Sequence, residues 1–359
     1  MNNYEFWDNY LNDIKDRLNK LLEEKDTFNI DLHMHSYKST DSDYTLENIL
    51  KCTKNLDVIS ITDHDSLEIY DELYNYLSKN KIDKPIIIPG IEFTTLNNEY
   101  GSQCHILEYF INPKDEEVIS DVRLNREASY YRTKEQFKRL KNNKGFMEYV
   151  YKYDIYISYD EYVDNLKELP DYRSLSEYLM NKLKEYNITA MDVLEKCKYY
   201  NKFDKCIDRK EKTLNRFNYL EEKHKDKDNS NNARLLLSTL GPRGVDDDYY
   251  KDYESTGSIS VNSYNQIRIE DINKKYPLVF AHPNSDKMDI VEKIIINNKN
   301  FKGIENNISN KNEDINKINE LNKKYNLALT KGTDTHKEYL YDNNLLEVTK
   351  EELKKIINM

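Results

Sequence analysis

The sequence predicts an α/β domain interrupted by a large, mainly helical insertion, and three observations carry that expectation. Short apolar runs bounded by polar turns recur near residues 28, 57, 85 and 104 as FNIDLHMH, DVISITDH, PIIIPGIEF and CHILEYFI. The pattern stops after Pro113 and resumes near 277, 301 and 327 as PLVFAHP, FKGIENN and LALTKGTDTH, making seven candidate strands in two blocks. Between the blocks, from about 114 to 270, a Tyr-, Lys- and Asp-rich stretch carries helical periodicity instead. Continuous apolar runs of this length, separated by helical segments, read as buried parallel strands.

The elements follow in order. Within residues 1–27, Phe6, Trp7, Tyr10, Leu11, Ile14, Leu18, Leu21 and Leu22 recur at helical spacing with charges opposite. That amphipathic helix is expected to cover one end of the domain, or else to offer a face to a protein partner. Residues 28–113 and 271–359 hold the strands. The insertion, 114–270, has helical periods in RTKEQFKRLKNN, LSEYLMNKLKEY and RKEKTLNRFNYLEEK, then KHKDKDNSNN and GPRGVDDDYYKDYESTGS, whose charge, Gly and Ser content reads as a mobile loop.

Composition narrows the class. At 359 residues the chain can bury a sizeable core, while 38% hydrophobic and 33% charged residues describe a very polar soluble protein. No apolar run is long enough to cross a membrane. The N-terminus carries acidic residues where an export signal would be basic. Cys52, Cys104, Cys197 and Cys206 form no CxxC pair and no obvious disulfide framework, so a reducing cytoplasm is expected. A net charge of -11 argues against broad binding to duplex phosphate backbone, yet leaves room for a local basic pocket.

The chemistry is written in histidine, because six of the seven sit within or at the carboxyl end of a candidate strand. His33 and His35 alternate along DLHMHS and so project to one side of an extended segment. TDHDS adds Asp63, His64 and Asp65, PGIEF adds Glu92, CHILEYF adds His105, and AHP adds His282. GTDTH repeats the first geometry with Asp334 and His336. A mixed imidazole and carboxylate set suits Zn, Mn or Fe, with Mg tolerated, and more than four ligands implies more than one ion. Asp63 and Asp65 could orient His64 from behind or cap the helix that follows TDHDS.

In that order, DLHMHS, SITDHDS, PGIEF, CHILEYF, FAHP and KGTDTH resemble the PHP family, named for its polymerase and histidinol phosphatase members. The resemblance covers about 29–112 and 276–340. It implies a distorted (β/α)7 barrel and a metal-dependent phosphoesterase holding three divalent ions. It places metal ligands at His33, His35, Asp41, His64, Glu92, His105, His282, Asp334 and His336, with Glu92 bridging. STDSDY carries one residue more than the family's Ser-Asp-Gly step, so Asp43 is the rival of Asp41, and Lys331 puts an unfamiliar cation beside the last pair. Glu305 in GIENN falls on a family segment where a carboxylate is structural.

The implied chemistry is attack of a metal-activated hydroxide on phosphorus, with Glu92, His64 and Asp63 as the catalytic candidates. RLNREASYYRTKEQFKRL resembles the Arg-rich helix with which nucleotide-directed members begin their insertion, and Arg126 and Arg132 are candidate phosphate clamps beside Lys331. Nucleotides or single-stranded nucleic-acid ends are the expected substrates. A small monoester such as histidinol phosphate, or a role as a metal-bearing subunit of a nucleic-acid or defence assembly, are the alternatives. The 31 tyrosines fit helix packing in the insertion better than base stacking.

Overall fold

The apolar runs form strands because their Val, Ile and Phe side chains pack well on a pleated surface and both faces find cover. The strands are β1 (Thr27–Met34), β2 (Val58–Ile61), β3 (Ile86–Ile87), β4 (Gly90–Asn97), β5 (Ser102–Tyr109), β6 (Leu278–Phe280), β7 (Phe301–Asn307), β8 (Ala328–Gly332) and β9 (Glu347–Thr349). This is a computed structural model in which residues 3–39, 42–97, 102–141, 144–166, 169–170, 172–189, 192–193, 196, 267–272, 274–283, 285–336 and 346–359 are described. The chain divides into two compact units, Met1–Arg126 with Gln266–Met359, and Glu127–Asn265. All the described strands belong to the first.

That unit is α/β, but its strands form two sheets, β3-β2-β1-β9 and β4-β5-β6-β7-β8, and not one continuous closed barrel. Isolated parallel bridges join the sheets, Met34 at the end of β1 with Thr335 past β8, and His64 past β2 with Glu92 of β4. The expectation of parallel strands throughout also needs correction: β5 is antiparallel to both β4 and β6, and β9 to β1. Only 98–101 connect β4 to β5, and so short a link cannot make the crossover that parallel neighbours require. PIIIPGIEF, read as one strand, divides into β3 and β4.

Helices α1 (Asn3–Glu24), α2 (Leu46–Cys52), α3 (Ile69–Leu77) and α4 (Glu116–Leu140) come before the second block of strands. The apolar stripe of α1 is spent on the unit's own core, where Trp7, Ile14 and Leu18 are fully buried. Burial of each such side chain contributes roughly 1.5–3 kcal/mol. The polar edge of α1 is held as well: Tyr10 Oη donates to Ile87 O at 3.0 Å, and Arg17 donates to Ile82 O at 2.9 Å. Phe28, Ile30 and Leu32 of β1 join Leu107, Val279 and Ala328 in one cluster with Ile14 and Leu18.

The second unit receives the last turns of α4, followed by α5 (Lys144–Lys152), α6 (Tyr159–Asp164) and α7 (Tyr172–Lys184). Phe137, Leu140, Phe146, Val150, Tyr162, Leu175, Leu179 and Leu183 form its core. Tyr159 and Tyr178 pack against that core, as expected of tyrosines in helices, whereas Tyr151 and Tyr156 are exposed. RKEKTLNRFNYLEEK and the stretch read as a mobile loop lie outside the described residues, as do Cys197 and Cys206; Cys52 and Cys104 are free thiols. The first unit is completed by α8 (Met288–Asn297), α9 (Asn312–Tyr325) and α10 (Lys350–Ile357). Among the described residues no helix is long and apolar enough to cross a membrane.

Candidate metal centre

Glu92 is the hub. Fully buried on β4, its carboxylate lies 3.1 Å from His33 Nε2, 3.2 Å from His35 Nε2, 3.1 Å from His64 Nδ1, 2.9 Å from His105 Nδ1 and 3.1 Å from His282 Nε2. Asp334 Oδ1 stands 3.1 Å from His35 Nε2, and His336 Nε2 lies 3.7 Å from that same oxygen. Both sheets contribute, so the cluster sits where the two isolated bridges join them.

Local backbone explains how each side chain arrives. His33 and His35 converge by strand alternation at the end of β1, as the sequence pattern requires. His105 lies inside β5 rather than at its carboxyl end. Because β5 runs backwards, its first half lies level with the carboxyl ends of its neighbours. Asp334 and His336 do not converge by alternation: β8 ends at Gly332, and Asp334 takes a left-handed φ of 53°. His282 (φ 62°) and Asp65 (φ 48°) do the same next to the centre. His and Asp tolerate that region better than most residues, and such strain concentrates at functional sites.

Tautomers test whether the donor set fits metal. His336 Nδ1 is 2.7 Å from the Asp334 carbonyl, which can only accept, so Nδ1 carries the proton and Nε2 the lone pair. His33 Nδ1 likewise donates to Glu305 Oε1 at 3.0 Å, which leaves Nε2 to face Glu92 and, at 3.2 Å, His35 Nε2. Ring nitrogens and carboxylate oxygens gathered this closely need positive charge among them, which a proton or a metal cation can supply. His35, His64 and His336; His33, His35, Glu92 and Asp334; and His64, Glu92 and His105 each bring ligand atoms within 4.8 Å of one another. The set therefore fits borderline divalent ions.

Electrostatics agree. Burial opposes charge on Glu92, but His33, His64 and His105 outweigh it and hold the carboxyl well below its ordinary range. Burial also opposes a charged His35, yet hydrogen bonds to Asp334 and Glu92 push the imidazole up to about 10. Buried His33 is raised too, by Glu92, Glu305 and Asp334. The pocket therefore favours positive charge among its carboxylates. Its floor, His33, His35 and Glu92, is buried, while the rim side chains of His64, His105, His282, His336 and Asp334 keep 14% to 31% exposure.

Other candidates fall elsewhere. Asp41 and the Arg132 side chain lie outside the described residues; Asp43 is exposed and belongs to none of the three ligand groups. Asp63 faces the turn after His35, where Ser36 N and Oγ each donate to its carboxylate at 2.6 Å. Neither Asp63 nor Asp65 caps α3, whose N-cap is Glu68. Lys331 lies in β8, where it alternates with Thr330 and Gly332, and Glu352 and Glu347 are among the charges near it. Gly332 itself packs against His33 and Glu305, the side that faces the cluster. Arg126 pairs with Glu68 at 3.1 Å, four residues past His64.

Two residues gain roles that composition could not announce. Glu305 holds His33 from behind the cluster. Asp31, fully buried, accepts from His33 N at 3.2 Å and from Thr333 N at 3.1 Å, tying the two seam strands; burial pushes its carboxyl up to about 7. The available signal was an Asp inside the apolar run FNIDLH.

No protein-family model matches the chain, and no curated protein matches it. Among solved structures, an amidohydrolase from Chromobacterium violaceum, with bound sulfate and no metal, aligns at TM-score 0.48 and 16% identity over 90% of this chain and 98% of its own. A proposed metal-dependent phosphoesterase from Bifidobacterium adolescentis aligns at TM-score 0.46 and 15% identity over 91% and 96%. Similarities of this size leave the chemistry to be read from the chain's own residues.

Proposed function

We propose that this chain is a metal-dependent hydrolase of phosphate esters, with nucleotides or nucleic-acid ends as substrates. The single observation that carries the reading is five imidazoles within 3.2 Å of the Glu92 carboxylate, on a buried floor with a partly exposed rim. A structural site is closed by its protein ligands, whereas a catalytic one keeps an open side.

The ligands in this reading are His33, His35, His64, Glu92, His105, His282, Asp334 and His336, with Asp41 completing the set and three ions held. Divalent ions bound there would supply Lewis acidity toward a phosphoryl oxygen and make a water acidic enough to ionise near neutral pH. The chain's own residues prepare that chemistry. Glu305 keeps the His33 proton on Nδ1 and so keeps Nε2 basic, and the Asp334 carbonyl does the same for His336. Asp63 fixes the turn after His35 through Ser36. Arg126 is the cation assigned to substrate phosphate, because guanidinium matches phosphate oxygens in a fork.

The test is release of phosphate or nucleotide from mononucleotides, nucleoside bisphosphates, cyclic nucleotides, short single-stranded RNA and DNA, and histidinol phosphate, with Mn, Zn, Fe and Mg, against His64→Ala. Turnover of a nucleotide class that the variant loses supports the proposal. Turnover of histidinol phosphate alone overturns its substrate half, and inactivity of a protein shown to hold its metals on every phosphoester overturns the whole.

A further inference from the structure

The turn that carries His64 is laced to the strand that carries Glu92, and one amide ties off the lacing. Asp65 N donates to Glu92 O at 3.0 Å, and Glu92 N donates to Asp63 O at 3.3 Å. Asp65 Oδ1 accepts from Thr94 N at 3.0 Å and from Asn125 Nδ2 at 2.7 Å. Asn125, on α4, also donates from Nδ2 to Thr94 O at 3.0 Å, while its Oδ1 accepts from Ile267 N at 2.8 Å. Both N–H groups and the oxygen of this amide are thus engaged, at a residue only 4% exposed. Asp65 sits in the left-handed region beside His64, a conformation that persists only where its surroundings over-determine it.

We infer that Asn125 is a positioning residue for the His64, Glu92 and His105 ligand group, acting through Asp65 and Thr94; the inference rests on the metal-dependent reading above. Asn125 touches none of the three. It instead sets the spacing between the His64 turn and β4, across which His64 Nδ1 and Glu92 stand 3.1 Å apart. It also fastens that turn to residue 267, where the chain has just re-entered the first unit after the insertion.

The experiment compares Asn125→Asp with the pair Asp65→Asn, Asn125→Asp, in which amide and carboxylate change places across the 2.7 Å contact. Binding of Co2+ is followed by its visible spectrum and by chelator competition, with thermal melting alongside. The single variant is expected to lose about tenfold in affinity for part of its bound metal, the low end of the range for partners that touch a ligand directly, and the pair to recover most of it. A single variant with wild-type affinity and spectrum, or a folded pair no better than the single, overturns the inference. Should Asn125→Asp not fold, Asn125→Ser, which can donate to Asp65 but not also reach Thr94, is expected to show the same partial loss, and wild-type binding by it overturns the idea equally. Wild-type protein that binds no Co2+ would instead remove the metal-dependent reading on which the inference rests.

Discussion

Glu305→Gln isolates the charge behind His33. Glu305 and His33 are both fully buried, and Oε1 stands 3.0 Å from Nδ1. Glutamine keeps the volume and removes the charge. Its amide could present either end to the ring, and the structure decides which: Asn307 Nδ2 donates to the same Oε1 at 3.4 Å, which favours keeping an oxygen there. The hydrogen bond to His33 therefore survives as a neutral one. Bonds to charged partners contribute about 1.5–3 kcal/mol against about 0.5–1.5 for neutral ones, so the loss is about 1–1.5 kcal/mol. That corresponds to about five- to tenfold in metal affinity. If the amide nitrogen turned inward instead, it would drive the ring proton onto Nε2, the ligating nitrogen, and the loss would approach about 100-fold. Competition against a calibrated chelator with Mn and Zn reads the difference, with circular dichroism checking the fold. Affinity within twofold of wild type would refute the argument and leave Glu305 a packing residue.

Three further perturbations test the frame. A Cβ at Gly332 would lie 2.3 Å from the His33 Cβ and 2.5 Å from Glu305 Oε1, so Gly332→Ala must spread β1 from β8 at a cost of about 1–3 kcal/mol; a melting temperature and metal affinity both unchanged would contradict this. Tyr70→Phe removes the buried hydroxyl that receives Gly90 N–H at 2.7 Å and donates to Ile61 O at 2.6 Å. Each backbone group so stranded costs about 1–3 kcal/mol, and urea unfolding that shows less than about 1 kcal/mol in total would count against it. Asp57 is buried against desolvation, yet Lys25, the Asn29 N–H and Lys84 outweigh that cost and lower its pKa. A lowered folded pKa means stability present above the unfolded value of about 4 and lost as pH falls through the folded one. Asp57→Asn should therefore destabilise at neutral pH and converge on wild type in acid; a gap independent of pH would show that the carboxylate charge plays no part.

The strands and most of the centre were legible because they depend on local spacing. Apolar runs bounded by turns reveal strands whatever their neighbours, and His33 and His35 converge by the two-residue period of a strand alone. What was illegible depends on contacts distant in sequence. That β5 runs backwards, which explains why His105 works from mid-strand, follows from the short link after β4 only once both strand ends are known. Lys331 is three residues from Asp334 in sequence, but in β8 it alternates with Gly332, whose side faces His33 and Glu305. Glu305 reaches His33 across 272 residues and Asn125 reaches Asp65 across 60, distances over which sequence pattern carries no signal. Asp63 stands out within TDHDS, but its partner Ser36 does not, since a serine after an HxH pair looks like any turn residue.

The placement of the centre follows from how the sheets end. Inside a sheet the ladder fixes φ and ψ, and side chains can only alternate. At the strand ends the backbone is released: Asp334 and Asp65, beside the two bridges, and His282, just past the inner strand β6, take left-handed conformations that aim side chains no regular strand could deliver. Each such residue costs about 1–3 kcal/mol, so the seam must be held by something other than ladder pairing. Asp334 N donates to His33 O at 2.8 Å, Ala281 N to His105 O at 3.1 Å, and Asp65 N to Glu92 O at 3.0 Å, so each strained stretch is hydrogen-bonded to a residue that itself bears a ligand side chain. The side chains of the cluster are therefore held in place by the hydrogen bonds of the backbone that carries them.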